Sequence, residues 1–132
     1  MSTKLLISGS REGFTFTEFE RTLLKRFPNP KEEISEIVAG GANGVDSFAK
    51  EFAIFYDIPY KEFLADWDRH GKKAGYLRNI EMGDFVKYHE GVLMAFCFNF
   101  SKGTTHMIKY AKQIDLPAFV VHKPKNNVAM FN

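Results

Sequence analysis

The sequence predicts an α/β fold, specifically a single-domain, Rossmann-like three-layer sandwich whose mainly parallel sheet has about five strands. Short apolar runs alternate with helical patterns along the 132 residues, without repeats or low-complexity linkers. The run 92–98 (VLMAFCF) is continuously apolar, which is typical of a strand that helices cover on both faces. The length suits one domain spanning 1–132, and we expect the polar stretch 123–132 to be a loose tail.

The first half of the chain predicts two strands and two helices. Residues 4–8 form an apolar run that ends at a glycine, as a buried strand does. Thr17 and Glu20 have the spacing of a capping box, and the helical pattern that follows stops at the sequence PNP. A second strand is predicted at 36–39, ahead of GGANG, and the clearest amphipathic helix begins at Val45.

The second half continues the same alternation. Residues 58–64 predict a third strand, 74–88 a helix and 92–98 a fourth strand. A further helix and a last strand at 117–121 follow. The residues of that helix predicted to face inward are Met107, Ile108, Ala111 and Ile114.

Composition narrows the functional class. The net charge of +2 and a pI near 8.6 make the chain only mildly basic, which does not favour nucleic-acid binding. Cys97 is the only cysteine, so no internal disulfide can form, and its apolar neighbours predict a buried thiol. No apolar run approaches the length of a membrane span. We therefore expect a cytoplasmic protein that does not bind a membrane.

Polar, glycine-rich segments follow the predicted strands at 9–13, 40–46, 65–79 and 100–106. Ligands bind outside the carboxyl ends of the strands in this fold class, so these segments are where a site is expected. Glycines between a strand and a helix can also serve turn geometry alone. Four such segments at one sheet edge favour a binding site.

Two of these segments have the character of phosphate-binding turns. A strand, a glycine-rich turn and a helix together present free backbone N–H groups and a positive dipole end to an anion. The residues concerned are Gly40, Gly41 and Gly44 in one turn, and Ser101, Gly103 and Thr104 in the other. Neither G-x-G-x-x-G nor G-x-x-x-x-G-K-[ST] is present, which disfavours an ordinary dinucleotide dehydrogenase or a P-loop NTPase.

Charged residues in the same segments supply further candidates. Arg11 and Arg78 are predicted to bind an anion, the alternative being surface salt bridges. Asp46 is expected to be either a helix N-cap or a ligand of a ribose hydroxyl. Asp66 and Asp68, near His70, are acid-base candidates, but D-x-D-x-H is a weak pattern and we predict no metal site.

Two aromatic residues leave alternatives open. Trp67 can stack on a base or pack against the core, and hydrophobic packing is the expectation. His106 is placed either to reach a ligand or on an exposed helix surface.

The motifs GSR, GGANGVDSFA, ADWDRHGKKAGYLRNIEM and SKGTTHMIKYA occur in this order between Lys4 and Val121. In this combination the chain resembles the SLOG superfamily, the Rossmann-like group that includes the lonely-guy cytokinin-activating enzymes and DprA. The resemblance is greatest to the small YspA-like branch. It implies a nucleotide or nucleotide-derived ligand, such as a nucleoside phosphate or an ADP-ribose-like molecule, and no cofactor.

The resemblance also implies roles for particular residues. Phosphate is expected near SKGTT, with sugar and base near GGANG, Arg78 and Asn79. From the residues and the resemblance together, we predict that phosphate is held by Arg11, Arg78, Ser101, Gly103 and Thr104. Gly40, Gly41, Asp46 and Asn79 are predicted to shape the pocket around ribose and base, and Ser10 is a further ligand-binding candidate. Lonely-guy enzymes carry P-G-G-x-G-T-x-x-E, and the position of its glutamate is Met107 here. A thioether cannot act as a base, so the leading expectation is a protein that binds its ligand for sensing, sequestration or processing.

Two other functions are carried as alternatives. One is an N-glycosidase or phosphoribohydrolase of nucleoside monophosphates that uses Asp46, Asp66 or Asp68 as catalyst. The other is single-stranded DNA binding, by analogy with DprA, which the low net charge disfavours. We also expect a homodimer formed through the phenylalanines of the helices, namely Phe19, Phe48, Phe52, Phe55 and Phe85.

Overall fold

The computed structural model describes residues 2–125, which form an α/β sandwich around one parallel sheet. This confirms the predicted fold class. Helices pack on both faces of the sheet. The strands are β1 (Thr3–Gly9), β2 (Ile34–Ala39), β3 (Tyr60–Glu62), β4 (Val92–Phe98) and β5 (Ala118–Lys123).

The helices fall where the apolar patterns predict them, with two short additions. The segment PNP ends the first long helix, as predicted. Its second proline, Pro30, begins the first short addition, α2. Asp66 caps the second short addition, α4. A 3-10 turn at Gly71–Lys73 joins α4 to α5. The helices are α1 (Phe16–Arg26), α2 (Pro30–Glu33), α3 (Val45–Phe55), α4 (Trp67–His70), α5 (Ala74–Tyr88) and α6 (Lys102–Gln113).

The strand order is β3-β2-β1-β4-β5, with every neighbouring pair parallel. Leu5 in β1 pairs with Ile37 on one side and Val92 on the other, so β1 lies at the centre. The chain reverses its direction of travel across the sheet between β1 and β4. A crevice therefore opens at the carboxyl ends of these two strands, which is where ligands bind in doubly wound sheets.

Two apolar layers hold the helices on the sheet. Phenylalanine rings dominate the layer beneath α1 and α3, where Phe19 lies 5.0 Å from Phe96 and 6.0 Å from Phe52 between ring centroids. The layer beneath α5 and α6 is built from smaller aliphatic side chains and methionines. Phe19 and Phe52 are fully buried, so the prediction that they form a dimer interface is wrong; Phe55 is exposed.

The N-terminus of α1 lies two residues earlier than the sequence predicts. Thr15, not Thr17, is the N-cap: its side chain accepts from the Glu18 N–H at 3.1 Å, and the Glu18 side chain accepts from the Thr15 N–H at 2.8 Å. The stretch TFTEFE contains two overlapping capping-box patterns. Glu20, the glutamate of the other pattern, instead accepts from the Tyr56 hydroxyl at 2.8 Å.

Two further boundaries differ from the predictions. Strand β3 has only three residues, because its partner β2 pairs with it only through Ile37, Val38 and Ala39. Lys123 belongs to β5 and not to a loose tail, since it pairs in register with Phe98 and its ammonium donates to Glu18 at 2.8 Å. The rest of the predicted tail lies largely outside the described residues. No helix within 2–125 is both long and apolar enough to cross a bilayer.

Candidate functional site

A cleft of about 930 Å³ opens at the carboxyl edge of the sheet. Its walls come from the ends of β1, β2 and β4, from the segment that follows β3, and from the first turns of α5 and α6. Every ligand-binding residue predicted from the sequence lines it. These residues are Ser10, Arg11, Gly40, Gly41, Asp46, Arg78, Asn79, Ser101, Gly103 and Thr104.

Ser10 joins the two central strands at the floor of the cleft. Its hydroxyl accepts from the Phe98 N–H at 2.8 Å and lies 2.7 Å from the Ser101 hydroxyl. Its backbone N–H donates to the Phe96 carbonyl at 3.0 Å. The side chain is therefore largely committed to fixing β1 against β4, and Ser101 is the more accessible of the two hydroxyls.

The β2–α3 turn, residues 40–44, is packed tightly by its neighbours. A Cβ on Gly40 would lie 2.8 Å from the Arg78 guanidinium carbon, and a Cβ on Gly44 would lie 2.5 Å from the Arg11 carbonyl oxygen. Gly44 is also the N-cap of α3, with φ of 74° and ψ of −126°. The prediction of Asp46 as an N-cap is therefore wrong, because that position is filled by a glycine in a conformation that L residues avoid.

Asp46 is instead buried beside the turn, with 6% of its surface exposed. Its carboxylate accepts from the Ala42 N–H at 3.1 Å. Burial raises the pKa of Asp46 from 3.8 to about 6, because desolvation outweighs the opposing contributions of the Ala42 and Gly40 N–H groups and of the Arg78 charge. A carboxyl group in this range can change protonation state near neutral pH.

Arg78 crosses from α5 to the same turn. Its Nη1 donates to the Gly40 carbonyl at 2.9 Å. Its Nε is buried and has no hydrogen-bond partner among residues 2–125. Leaving a charged donor unsatisfied in a buried position is unfavourable, so this guanidinium has unused capacity for an acceptor brought by a ligand.

The β4–α6 turn, which here means residues 99–101 together with the first two residues of α6, is open where the β2–α3 turn is closed. A Cβ on Gly103 would meet no described atom within 4 Å. Asn99 and Phe100 both have positive φ, at 51° and 53°, a conformation that is unfavourable for side chains other than glycine. This strained pair turns the chain sharply, so that the first turn of α6 faces the cleft with Gly103 and Thr104.

Asn79 ties α5 to the first turns of α6. Its Nδ2 donates to the Gly103 carbonyl at 3.0 Å and to His106 Nδ1 at 3.1 Å. Because an amide nitrogen only donates, Nδ1 of His106 accepts, and the neutral ring carries its proton on Nε2. Burial lowers the pKa of His106, which favours this neutral form. Asn79 is thus largely occupied by protein contacts.

The segment after β3 and the start of α5 contribute large apolar and aromatic side chains to the cleft. Trp67 is 54% exposed and lines the cleft, so the expectation that it packs into the core is wrong. The sequence reasoning also did not single out Leu64, Lys72 and Tyr76, which line the cleft beside it. Tyr76 lies three residues before Asn79 and therefore on the same face of α5, so this spacing could have identified it as a cleft residue.

The remaining acid-base candidates belong to α4 and its N-cap. Asp66 caps α4 by accepting from the Arg69 N–H at 3.1 Å, and Asp68 is an exposed residue of that helix. Neither belongs to the described cleft lining. No group of three or more His, Cys, Asp or Glu within 2–125 is placed to hold a metal ion. Of the proposed catalytic aspartates, only Asp46 reaches the cleft.

Met107 is fully buried under α6, between α5 and the sheet. Met107 therefore contributes to the core and is not one of the described residues that line the cleft.

The chain is similar to the Gene 61 protein of Mycobacterium phage D29, with 38% identity over 86 residues. The matching part covers 61% of this chain and 66% of the phage protein. No protein-family model matches the chain, and no solved structure matches it.

Proposed function

We propose that this protein binds a nucleotide or nucleotide-derived ligand in the cleft, with phosphate at the first turn of α6. The observation that carries the proposal is that an open helix N-terminus and basic side chains line the same cleft, at the crossover of the sheet. Gly103 leaves the approach to the α6 backbone free of described atoms. Backbone N–H groups and the helix dipole favour an anion there.

The charges of the cleft support the same proposal. Its lining includes the cations of Arg11, Lys72 and Arg78 against the carboxylates of Glu12 and Asp46. Arg78 has a buried Nε without a partner in the described chain, which suits a phosphate or ribose oxygen as acceptor. A cleft of about 930 Å³ has room for a ligand of nucleoside phosphate or ADP-ribose size.

Isothermal titration calorimetry with nucleoside 5′-monophosphates, ADP-ribose and ribose 5-phosphate tests the proposal. We expect Arg78→Ala to weaken binding by about 2 kcal/mol, roughly 30-fold, as loss of a charge-assisted contact does. Arg69→Ala is the matched control, because Arg69 is an exposed arginine of the same segment that is not part of the described cleft lining. The Arg69→Ala variant should bind each ligand with the affinity of the wild type.

Arg78 also holds Gly40, so a fold check accompanies the measurement. Arg78→Lys keeps the positive charge without the planar fork and should give an intermediate affinity. Thermal unfolding of each variant separates loss of binding from loss of structure. Wild-type protein that binds none of these ligands would overturn the proposal.

Hydrolysis of the bond between base and ribose is a second candidate function, favoured by one observation. Asp46 is a buried carboxyl of the cleft with a pKa near neutrality, as a general acid or base requires. Incubation with nucleoside monophosphates and NAD, followed by chromatography for released base, tests it. Asp46→Asn should abolish any release, whereas Asp68→Asn should leave it unchanged. Absence of released base from the wild type removes this candidate.

A further inference from the structure

Three exposed apolar side chains are gathered on one wall of the cleft. Leu64, Trp67 and Tyr76 are 73%, 54% and 42% exposed, and all of them line it. Large apolar side chains are normally withdrawn from water, and a group of them inside a concave surface marks a place where a ligand covers them. A second part of the lining is polar and carries Arg78 and the first turn of α6.

We infer that this wall is the subsite for the base of the ligand, with Trp67 and Tyr76 as stacking platforms. The inference rests on the proposed function and adds to it which residues of the cleft hold the base. A phosphorylated nucleoside has an anionic end and a flat apolar end, and the two walls match these ends. Aromatic rings stack on any base through its π-face, which needs no hydrogen-bond code.

Both rings rest against other residues of the protein. Trp67 is the first residue of α4, and the outer edge of its indole lies 3.5 Å from the position of a Cβ on Gly75. The ring therefore rests over the start of α5. Tyr76 packs on His106 with 4.4 Å between ring centroids and an interplanar angle of 36°. Rings that are already ordered lose little conformational freedom when a base stacks on them.

A chain of contacts joins this wall to the phosphate end. His106 accepts from Asn79, and Asn79 also donates to the carbonyl of Gly103. Tyr76 is thus held in a fixed relation to the first turn of α6. The ribose of the ligand would span the distance between the two walls.

Trp67 is the only tryptophan of the chain, so its fluorescence reports directly on this wall. The probes are AMP, GMP, CMP and UMP, compared with ribose 5-phosphate, which has the phosphate and sugar but no base. We expect the tightest of the nucleotides to quench the fluorescence and to bind at least tenfold more tightly than ribose 5-phosphate in calorimetry.

Variants then separate the two ends of the ligand. Trp67→Ala should weaken the binding of that nucleotide roughly tenfold and leave the affinity for ribose 5-phosphate unchanged. Trp67→Phe should restore part of the loss, which excludes unfolding as its cause. Tyr88→Ala is the control, because Tyr88 is an 83% exposed aromatic of α5 that does not belong to the described cleft lining.

The outcomes distinguish the inference from the function on which it rests. If Trp67→Ala changes neither ligand, or weakens both equally, the wall does not hold the base, although phosphate binding stands. If a protein or peptide from solution, but no nucleotide, quenches Trp67, the inference is also overturned. If the wild type binds neither nucleotides nor ribose 5-phosphate, the proposed function itself fails.

Discussion

The β2–α3 turn and the β4–α6 turn have the same sequence character, but the structure gives them opposite environments. Each follows a central strand, contains glycine and leads into a helix. In the β2–α3 turn the glycines are pressed against protein: Gly40 against Arg78, and Gly44 against the backbone of Arg11. In the β4–α6 turn Gly103 faces space that no described residue fills within 4 Å.

The backbone donors of the two turns differ in the same way. At the β2–α3 turn the Val45 N–H donates to the Ser10 carbonyl at 3.2 Å, and the Ala42 N–H donates to Asp46 at 3.1 Å. At the start of α6, Ser101 forms no side-chain cap bond within the described chain. The glycines of the β2–α3 turn therefore allow close packing, whereas Gly103 leaves the approach to the α6 backbone open. The neighbours of a glycine, not its place in a motif, decide its role.

The largest expected effect is that of Gly44→Ala on the free energy of unfolding. Alanine at this position has an unfavourable backbone conformation, and its Cβ would lie 2.5 Å from the Arg11 carbonyl oxygen. We expect a loss of about 3 kcal/mol or more, because the strain of the backbone and the steric clash act together. Urea denaturation measures it.

Gly71→Ala is the matched control for Gly44→Ala. Gly71 has φ of 57° and ψ of −134°, close to the values of Gly44, but a Cβ there would meet no described atom within 4 Å. The free energy of unfolding of Gly71→Ala should fall only by the cost of the unfavourable backbone conformation, about 1–2 kcal/mol. Equal losses in the two variants would show that the packing of the β2–α3 turn against Arg11 contributes nothing.

Asp46→Asn should give the next largest effect, and with the opposite sign. Because the pKa of Asp46 is raised to about 6 on folding, the folded state holds its proton more tightly than the unfolded state does. The resulting stabilisation is present below pH 3.8 and is lost as the pH rises through 6. Asparagine does not titrate, so the variant should gain about 2 kcal/mol relative to wild type between pH 4 and pH 8.

Denaturation of Asp46→Asn and wild type across this pH range provides the measurement. Asp68→Asn is the control, because Asp68 is an exposed aspartate and its variant should follow the wild-type profile throughout. A constant difference between Asp46→Asn and wild type would mean that Asp46 keeps its ordinary pKa and that the β2–α3 turn is not strained by a buried charge.

The fold was predictable from sequence because strands that are buried on both faces of the sheet appear as continuous apolar runs. The run 92–98 became β4 without a change of bounds, and the predicted helix 74–88 is α5. The capping box of α1 was not predictable, since TFTEFE fits two frames and the contact of Glu20 with Tyr56, 36 residues away, is not visible in the local pattern. Local patterns fix the type of an element more firmly than its end.

The candidate site was predictable in its position and less so in its composition. The rule that loops meet at the carboxyl edge of a parallel sheet brought together every predicted ligand residue. The many charged residues of the segment 65–79 suggested acid-base chemistry, but Asp66 caps a short helix and it is Trp67 that lines the cleft. Sequence spacing does not reveal which side of a short helix faces a cavity, because that depends on contacts distant along the chain.

Gly103→Ala should give the smallest effect on stability and a separate effect on binding. Gly103 lies in the first turn of α6, and an added Cβ has open space, so alanine should stabilise the unliganded protein by about 0.5 kcal/mol. The same methyl group would occupy the approach to the α6 backbone, and the affinity for ribose 5-phosphate should fall. Thermal unfolding and calorimetry measure the two effects. Unchanged affinity together with increased stability would place the phosphate elsewhere in the cleft and would remove the functional distinction between the two turns.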